Sequence, residues 1–227
     1  MTMKMDNIII MARYTVTQNY EIQESQGTCD RGKFSVASPL SSYGEEIKKM
    51  DETNNSLRRM VYAAMFGALT AIGSLIVIPL QPLPITLQTL FTGLAGVLLG
   101  GATGALSQIV YVLLGVIGLP VFAGGKAGLG TLMGPTGGYL IGFIIGAYVI
   151  GKLVEARKEP GLVWLGFSLV VGNLVIYALG VAQLSFVAHL SVAKALMVGV
   201  VPFIIGDLLK LVATVLISLK LRNIIKR

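Results

Sequence analysis

The segment that decides the fold carries two opposite charges in an otherwise apolar helix: Val200-Val-Pro-Phe-Ile-Ile-Gly-Asp-Leu-Leu-Lys-Leu-Val-Ala-Thr-Val-Leu-Ile-Ser-Leu219. Asp207 is the only acidic residue inside any predicted membrane span of the chain. A charge at the bilayer centre costs about 3 kcal/mol or more, so charges there usually pair and mark a site. The i, i+3 spacing puts Asp207 and Lys210 on one helix face. We therefore expect them to neutralise each other and to face a shared cavity.

Composition indicates a membrane protein. The 227 residues are 54% hydrophobic and 13% charged, whereas soluble domains carry about 25% charged residues. The net charge of +7 would suit a nucleic-acid partner, but the basic residues flank apolar segments, as expected beside a lipid bilayer. We therefore expect no nucleic-acid partner. Cys29 is the single cysteine and His189 the single histidine, so no metal site is expected.

The chain divides into two parts by polarity. Residues 1–57 are rich in polar side chains and are predicted to form a disordered extension, because they offer little apolar surface to offset the entropy of ordering. A further hypothesis starts translation at Met50, which N-terminal sequencing of the native protein would test. Residues 58–227 are predicted to form one transmembrane domain.

Apolar segments separated by Gly, Pro and charged residues predict an all-α bundle of six transmembrane helices. The predicted spans are 58–78, 86–100, 103–117, 136–152, 162–183 and a last span that starts at 193 or at 200 and ends at 221. The second and third spans are short for a bilayer that needs about 20 helical residues.

Charge placement predicts the orientation of the bundle. Basic residues cluster before the first span, after the fourth and after the sixth: Lys48, Lys49, Arg58, Arg59; Lys152, Arg157, Lys158; Lys220, Arg222, Lys226, Arg227. Six spans put all three clusters on one side, which the positive-inside rule makes cytoplasmic, so both termini are inside. The Gly-rich connection 118–135 is then outside, where its irregular backbone can line a cavity that opens outward.

Four motifs in order resemble the BioY family, the biotin-binding S components of energy-coupling factor (ECF) transporters. They are Pro82-Leu-Pro-Ile-Thr-Leu-Gln-Thr-Leu90, Gly118-Leu-Pro-Val-Phe-Ala-Gly-Gly125, Met133-Gly-Pro-Thr-Gly-Gly-Tyr-Leu140 and Val201-Pro-Phe-Ile-Ile-Gly-Asp-Leu-Leu-Lys210. The resemblance covers 58–227, and its four motifs together are specific.

The resemblance implies a multi-pass protein of a prokaryotic plasma membrane that captures extracellular biotin with high affinity. Its implied partners are a transmembrane coupling subunit and two cytosolic ATPase subunits, which alone use ATP. The chain itself is then not an enzyme and needs no cofactor. The sequence agrees, because it contains no Gly-x-x-x-x-Gly-Lys-Ser/Thr phosphate loop.

The resemblance also implies the binding residues. The family's acidic and basic pocket residues match Asp207 and Lys210, and its binding loop matches 124–138, including Gly124 and Gly125. Lys126 departs from the family, which often has a small or amide residue there. Two interpretations stay open: Lys126 pairs with the biotin tail, or it faces water.

Other polar or aromatic residues are weaker candidates. Phe122 and Tyr139 border the loop and are predicted to line the pocket. Gln88 in the second span is a substrate-binding candidate, with interhelical hydrogen bonding as the alternative. The same alternative is the preferred interpretation of four further side chains in the spans: Gln108, Tyr111, Asn173 and Tyr177.

Biotin suits the charged pair chemically. Its ureido ring presents two N–H donors and one acceptor oxygen, and its tail ends in a carboxylate. Our hypothesis is that Asp207 accepts from the ureido ring, while Lys210 keeps Asp207 ionised and donates to the ligand.

Small residues in the first span suggest a partner surface. Ala64 and Ala68 lie on one helix face, and small-xxx-small surfaces let helices approach closely. The resemblance favours docking to the coupling subunit; the alternative is packing inside the bundle.

Other functions fit less well. An intramembrane aspartyl protease needs two carboxylates, and a channel would show polar rings along several helices. Within the class, an S component for another vitamin and a solitary biotin carrier stay open.

Overall fold

The fold is known from a computed structural model, which describes residues 37–79 and 83–225, with side chains for 48–79 and 83–221. The predicted disorder of residues 1–36 lies outside this range. The chain separates into two compact units, Met1–Met50 and Asp51–Arg227. Of the first unit, the structure describes only residues 37–50, which are helical.

The described residues are mostly helical, and a two-stranded antiparallel sheet adds to the helices. In chain order the elements are α1 Ala37–Leu75, β1 Val77–Ile78, β2 Ile85–Thr86, α2 Gln88–Leu99, α3 Gly101–Val116, α4 Leu129–Met133, α5 Gly137–Glu155, α6 Leu162–Val187, α7 Val192–Gly199, a 3-10 turn Val201–Phe203 and α8 Ile204–Ile225.

The first helix differs from the prediction at both ends. It begins at Ala37, so the predicted start at 58 was wrong. The polar stretch before residue 58 contains Glu, Lys and Met, which are good helix formers, and a helix that has nucleated in the apolar part extends readily into such residues. The predicted end at 78 was also wrong, because Val77 and Ile78 pair with Thr86 and Ile85. Pro79 and Pro84 exclude a helix there, while the β-branched residues suit a strand. The predicted division of the chain at 57 stays a prediction.

The last span is broken. Helix α7 ends at Gly199, a 3-10 turn with Pro202 near its start follows, and α8 begins at Ile204. Proline lacks a backbone N–H, and its ring clashes with the preceding turn, so a continuous helix cannot pass through it. Asp207 therefore lies in the first turn of α8, where the positive end of the helix dipole stabilises a carboxylate.

Glycines bring α5 and α6 into close contact. Gly138, Gly142 and Gly146 recur at every fourth position of α5, and a Cβ on Gly142 would lie 3.0 Å from the Ile176 Cα. On α6, a Cβ on Gly172 would overlap the Ile150 side chain. Small residues at this spacing let helix backbones approach and replace the hydrophobic driving force that is missing in lipid.

The surface of the described bundle suits a bilayer. By length and composition, three of its apolar helical runs can cross a membrane: Gly137–Glu155, Leu162–Val187 and Val192–Leu221. Gln88–Leu99 and Gly101–Val116 are shorter and also apolar. Large apolar side chains such as Val163, Phe186 and Leu209 are exposed, as expected where lipid replaces water. The chain is thus a helical membrane protein.

Replacing Gly172 by Ala tests the glycine packing. Overpacking a tight contact costs about 1–3 kcal/mol, so Gly172→Ala is expected to unfold at a Tm roughly 2–8 °C below that of Gly166→Ala in detergent. Gly166 lies on the same helix with open space where its Cβ would be, so the matched variant carries the same gain in helix propensity without the clash. Equal Tm values for the two variants would contradict the packing account.

Candidate functional site

A cavity opens among several helices of the bundle. One part of its wall is apolar and aromatic, with Phe122, Tyr139 and Phe143 among its residues. Another part is polar and includes Asp207 and Lys210. This combination of an apolar wall and a few convergent polar groups is typical of small-molecule sites.

The predicted ion pair forms on the cavity wall. Lys210 Nζ lies 2.7 Å from Asp207 Oδ1, and both residues are buried, at 9% and 7% exposed. The attraction within a buried pair offsets the cost of desolvation only if further hydrogen bonds satisfy its remaining lone pairs and protons.

Two hydroxyl groups complete the pair. The Thr89 hydroxyl donates to Asp207 Oδ1 at 3.2 Å and accepts from Lys210 Nζ at 3.2 Å. The Tyr177 hydroxyl donates to Asp207 Oδ2. Thr89 was not predicted as a site residue, and Tyr177 was predicted only to form interhelical hydrogen bonds. Nothing in the local sequence signals that α2 and α6 reach the same carboxylate.

A chain of hydrogen bonds orients Gln88 on the cavity wall. The Thr86 hydroxyl donates to Gln88 Oε1 at 2.7 Å, and Gln88 Nε2 donates to the Tyr111 hydroxyl. Tyr111 in turn donates to the carbonyl of Val121 at 3.1 Å. Because the proton of Tyr111 is already committed, its oxygen must accept, and this determines which end of the Gln88 amide is nitrogen.

Phe122 and Tyr139 line the cavity as predicted. The Phe122 ring meets Tyr111 edge-on at 5.7 Å between centroids and fills the space beside Gly115, where any Cβ would overlap it. The Tyr139 hydroxyl donates to the carbonyl of Gly199 at 2.9 Å. That carbonyl ends α7, so Tyr139 compensates for the break in the last span.

The structure does not bring Gly124, Gly125 and Lys126 to the cavity wall. All three are exposed and form a tight turn in which both glycines have φ of +73° and Phe122 N–H donates to the Lys126 carbonyl at 3.0 Å. Lys126 borders a separate shallow depression instead. Glycine is favoured at both positions because other residues rarely adopt this left-handed backbone conformation, so the turn accounts for the two glycines without a role in ligand binding.

The first helix presents two different faces. Ala64 and Ala68 are exposed, whereas Ala63 and Gly67 are buried, and a Cβ on Gly67 would lie 2.9 Å from the Ser107 carbonyl oxygen. Ala63 and Gly67 therefore pack inside the bundle, whereas Ala64 and Ala68 lie on an exposed face of α1.

Other polar residues act inside the bundle. Gln108 on α3 bonds Thr70 on α1 and Thr92 on α2, which confirms the interhelical interpretation for this residue; its amide also donates to its neighbour Ser107. Among the residues that the structure describes, no group of His, Cys, Asp and Glu could hold a metal ion.

A family model and curated relatives identify the family. The sequence model of the BioY family matches residues 47–227, a longer stretch than the predicted 58–227. A biotin transporter BioY of Thermotoga maritima is 49% identical over 168 residues, which are 74% of this chain and 98% of that protein. A biotin transporter BioY of Rhizobium etli is 41% identical, covering 72% of this chain and 92% of that protein.

A solved structure is similar in both sequence and fold. It is the S-component for biotin from an ECF-type ABC transporter, 31% identical with a TM-score of 0.69, covering 75% of this chain and 93% of that chain.

Removing one charge of the buried pair is expected to destabilise the fold. Breaking a buried pair costs about 3–5 kcal/mol, because the other charge stays uncompensated; Lys210→Met should therefore lower the Tm by roughly 10 °C. The double variant Asp207→Asn/Lys210→Met should recover most of the loss.

The exposed pair Lys152–Glu155 provides the control. Its side chains are 52% and 45% exposed, so Lys152→Met should leave the Tm almost unchanged, because solvent screens the pair. If Lys210→Met lowered the Tm no more than Lys152→Met does, the Asp207–Lys210 pair would not contribute to stability as predicted.

Proposed function

This chain belongs to the BioY family, and from that membership we propose that it binds biotin and transports it across the membrane as the S component of an ECF transporter. The observation that carries the proposal is the buried pair Asp207–Lys210 on the wall of a mainly apolar cavity. The family is one of transporters, so the chain is not an enzyme.

The polar end of the cavity suits the ureido ring. Beyond the hydrogen bonds that they already make, Asp207 Oδ2 keeps one acceptor site for a ring N–H group, and Lys210 keeps one N–H for the ureido oxygen. The oriented amide of Gln88 adds a donor and an acceptor beside them. Phe122 and Tyr139 then contact the apolar bicycle and its sulfur. Each interaction with an ionised partner is a strong hydrogen bond.

Lys126 stays a candidate for the carboxylate tail of biotin, with Gly124 and Gly125 shaping its turn. The side chain is exposed and borders the depression next to the cavity. A long flexible ammonium at such a place can pair with an anion that protrudes from the cavity mouth.

The chain crosses the membrane six times in our proposal, with α1, α2, α3, α5, α6 and the α7–α8 run as the spans. At 1.5 Å per residue, α2 and α3 are about 18 and 24 Å long, shorter than the ~30 Å hydrocarbon core, and their connections complete the crossing. The basic clusters support an orientation with both termini in the cytoplasm and the cavity mouth outside. The membrane is the plasma membrane of a prokaryote.

Transport takes place with partner subunits: an ECF transmembrane coupling subunit and two cytosolic ATPase subunits. The chain needs no cofactor, and ATP is used by the partners only. The open face of Ala64 and Ala68 is the proposed docking surface, because small side chains allow a partner helix to approach its backbone.

Equilibrium binding of biotin to the purified chain tests the proposed function. Asp207→Asn keeps the shape of the side chain but removes its charge, and hydrogen bonds to charged groups contribute about 1.5–3 kcal/mol, so the Kd should rise more than tenfold. Leu208→Met, an exposed neighbour on the same helix, should bind like the unsubstituted chain.

Binding of related ligands distinguishes a biotin S component from an S component for another vitamin, and uptake by cells tests for a solitary carrier. Desthiobiotin keeps the ureido ring and should compete with biotin, whereas thiamine should not. Binding of thiamine but not biotin would indicate an S component for a different vitamin. Biotin uptake by cells that lack the ATPase subunits would indicate a solitary carrier.

A tryptophan at Ala64 tests the docking surface. Ala64→Trp should leave biotin affinity unchanged, because the side chain points away from the bundle, and should abolish co-purification with the coupling subunit. The control Leu174→Trp places the same side chain at an exposed position of α6 and should assemble normally. Loss of biotin binding in Ala64→Trp would instead assign Ala64 to internal packing.

A further inference from the structure

The segment 127–136 separates the cavity from a second space. Thr131 and Thr136 line both the main cavity and the shallow depression beside it. Residues that border two spaces form the wall between them. We call this segment, which contains the short helix α4, the partition.

The partition makes few apolar contacts of its own. Helix α4 has no fully buried residue, and Leu129 and Met133 are 57% and 75% exposed. Its apolar anchor is Leu132, which is partly buried against the core cluster around Phe122 and Leu140. A segment with little buried apolar surface has low local stability and opens readily unless other bonds hold it.

Hydrogen bonds anchor the partition at its two ends. At the first end, Gly128 N–H donates to the carbonyl of Gly115 at 2.7 Å. At the other, Gln183 Nε2 on α6 donates to the carbonyls of both Leu132 and Gly134, at 2.8 Å each. A primary amide nitrogen has two hydrogens, so Gln183 uses its full donor capacity on this one segment.

Two glycines make room for the Gln183 side chain. A Cβ on Gly137 would lie 2.6 Å from Gln183 Nε2, and a Cβ on Gly138 would lie 2.8 Å from Gln183 Cβ. Any larger residue at the start of α5 would push the amide away from the two carbonyls. The close α5–α6 packing and the position of Gln183 thus depend on the same residues.

We infer that Gln183 is a positioning residue that holds the partition closed over the cavity and thereby sets the rate at which bound biotin leaves. The inference rests on the proposed function for its ligand. Gln183 is not among the residues that line the cavity, so it acts through the partition. Its loss frees two carbonyl groups and raises the population of the open segment.

Two nearly isosteric variants, Gln183→Met and Gln183→Glu, test the inference. The first removes both donors, and the second places a carboxylate against two carbonyl oxygens. Because one neutral hydrogen bond shifts an equilibrium roughly fivefold, biotin should dissociate on the order of tenfold faster from Gln183→Met and faster still from Gln183→Glu. The association rate should change much less.

Amide hydrogen exchange of the ligand-free proteins gives a second readout that needs no biotin. Exchange at 129–137 should accelerate in both variants, while the middle of α5 and α6 stays protected. The control Ser185→Ala removes a bond of the same kind, from Ser185 to the Leu190 carbonyl at 2.7 Å, on the same helix but away from the partition. It should match the unsubstituted chain in both measurements.

Unchanged dissociation and unchanged exchange in both variants would overturn the inference. A general loss of protection across α5 and α6 would also overturn it, since Gln183 would then support the whole bundle. If the unsubstituted chain failed to bind biotin, the proposed function would fail, and exchange at 129–137 would still decide the role of Gln183.

Discussion

The structure depends on how a charge pair is kept in an apolar interior. Asp207 and Lys210 are almost inaccessible and 2.7 Å apart, and neither charge would be tolerated there alone. Thr89 and Tyr177 supply the missing hydrogen bonds, and the break before α8 places Asp207 at the positive end of a helix dipole. The break costs backbone hydrogen bonds, but it also gives Asp207 its position at the start of a helix. The Tyr139 hydroxyl donates to the Gly199 carbonyl, one of the groups that the break leaves without a helical partner.

Glycines determine how closely the elements around the cavity pack. They let α5 approach α6 with almost no space between them, and Gly115 lets the Phe122 ring of the cavity wall pack directly on α3. The partition, which supplies Thr131 and Thr136 to the cavity wall, is held by hydrogen bonds from Gly128 and Gln183 and by the partly buried Leu132.

Sequence patterns predicted the features that depend on local chemistry. The i, i+3 spacing predicted the Asp207–Lys210 pair, and it forms on the cavity wall. Tyr139 and Phe122 were predicted from their position beside the loop, and both line the cavity. Helix ends were less accurate: α1 runs from Ala37 to Leu75 where 58–78 was predicted. Composition marks the apolar part of a helix, but not where a helix continues into polar residues or where a β-pairing ends it.

Hydropathy, motif order and helical spacing are properties of neighbouring residues, and they were enough to predict the membrane class, the family and the buried charge pair. Three features became visible only in the folded chain: Thr89 and Tyr177 complete the pair, the turn of Gly124, Gly125 and Lys126 does not line the cavity, and Gln183 reaches the carbonyls of Leu132 and Gly134. The physical reason is that hydrogen bonds between distant segments follow from how closely helices pack, and a linear pattern carries no such distances.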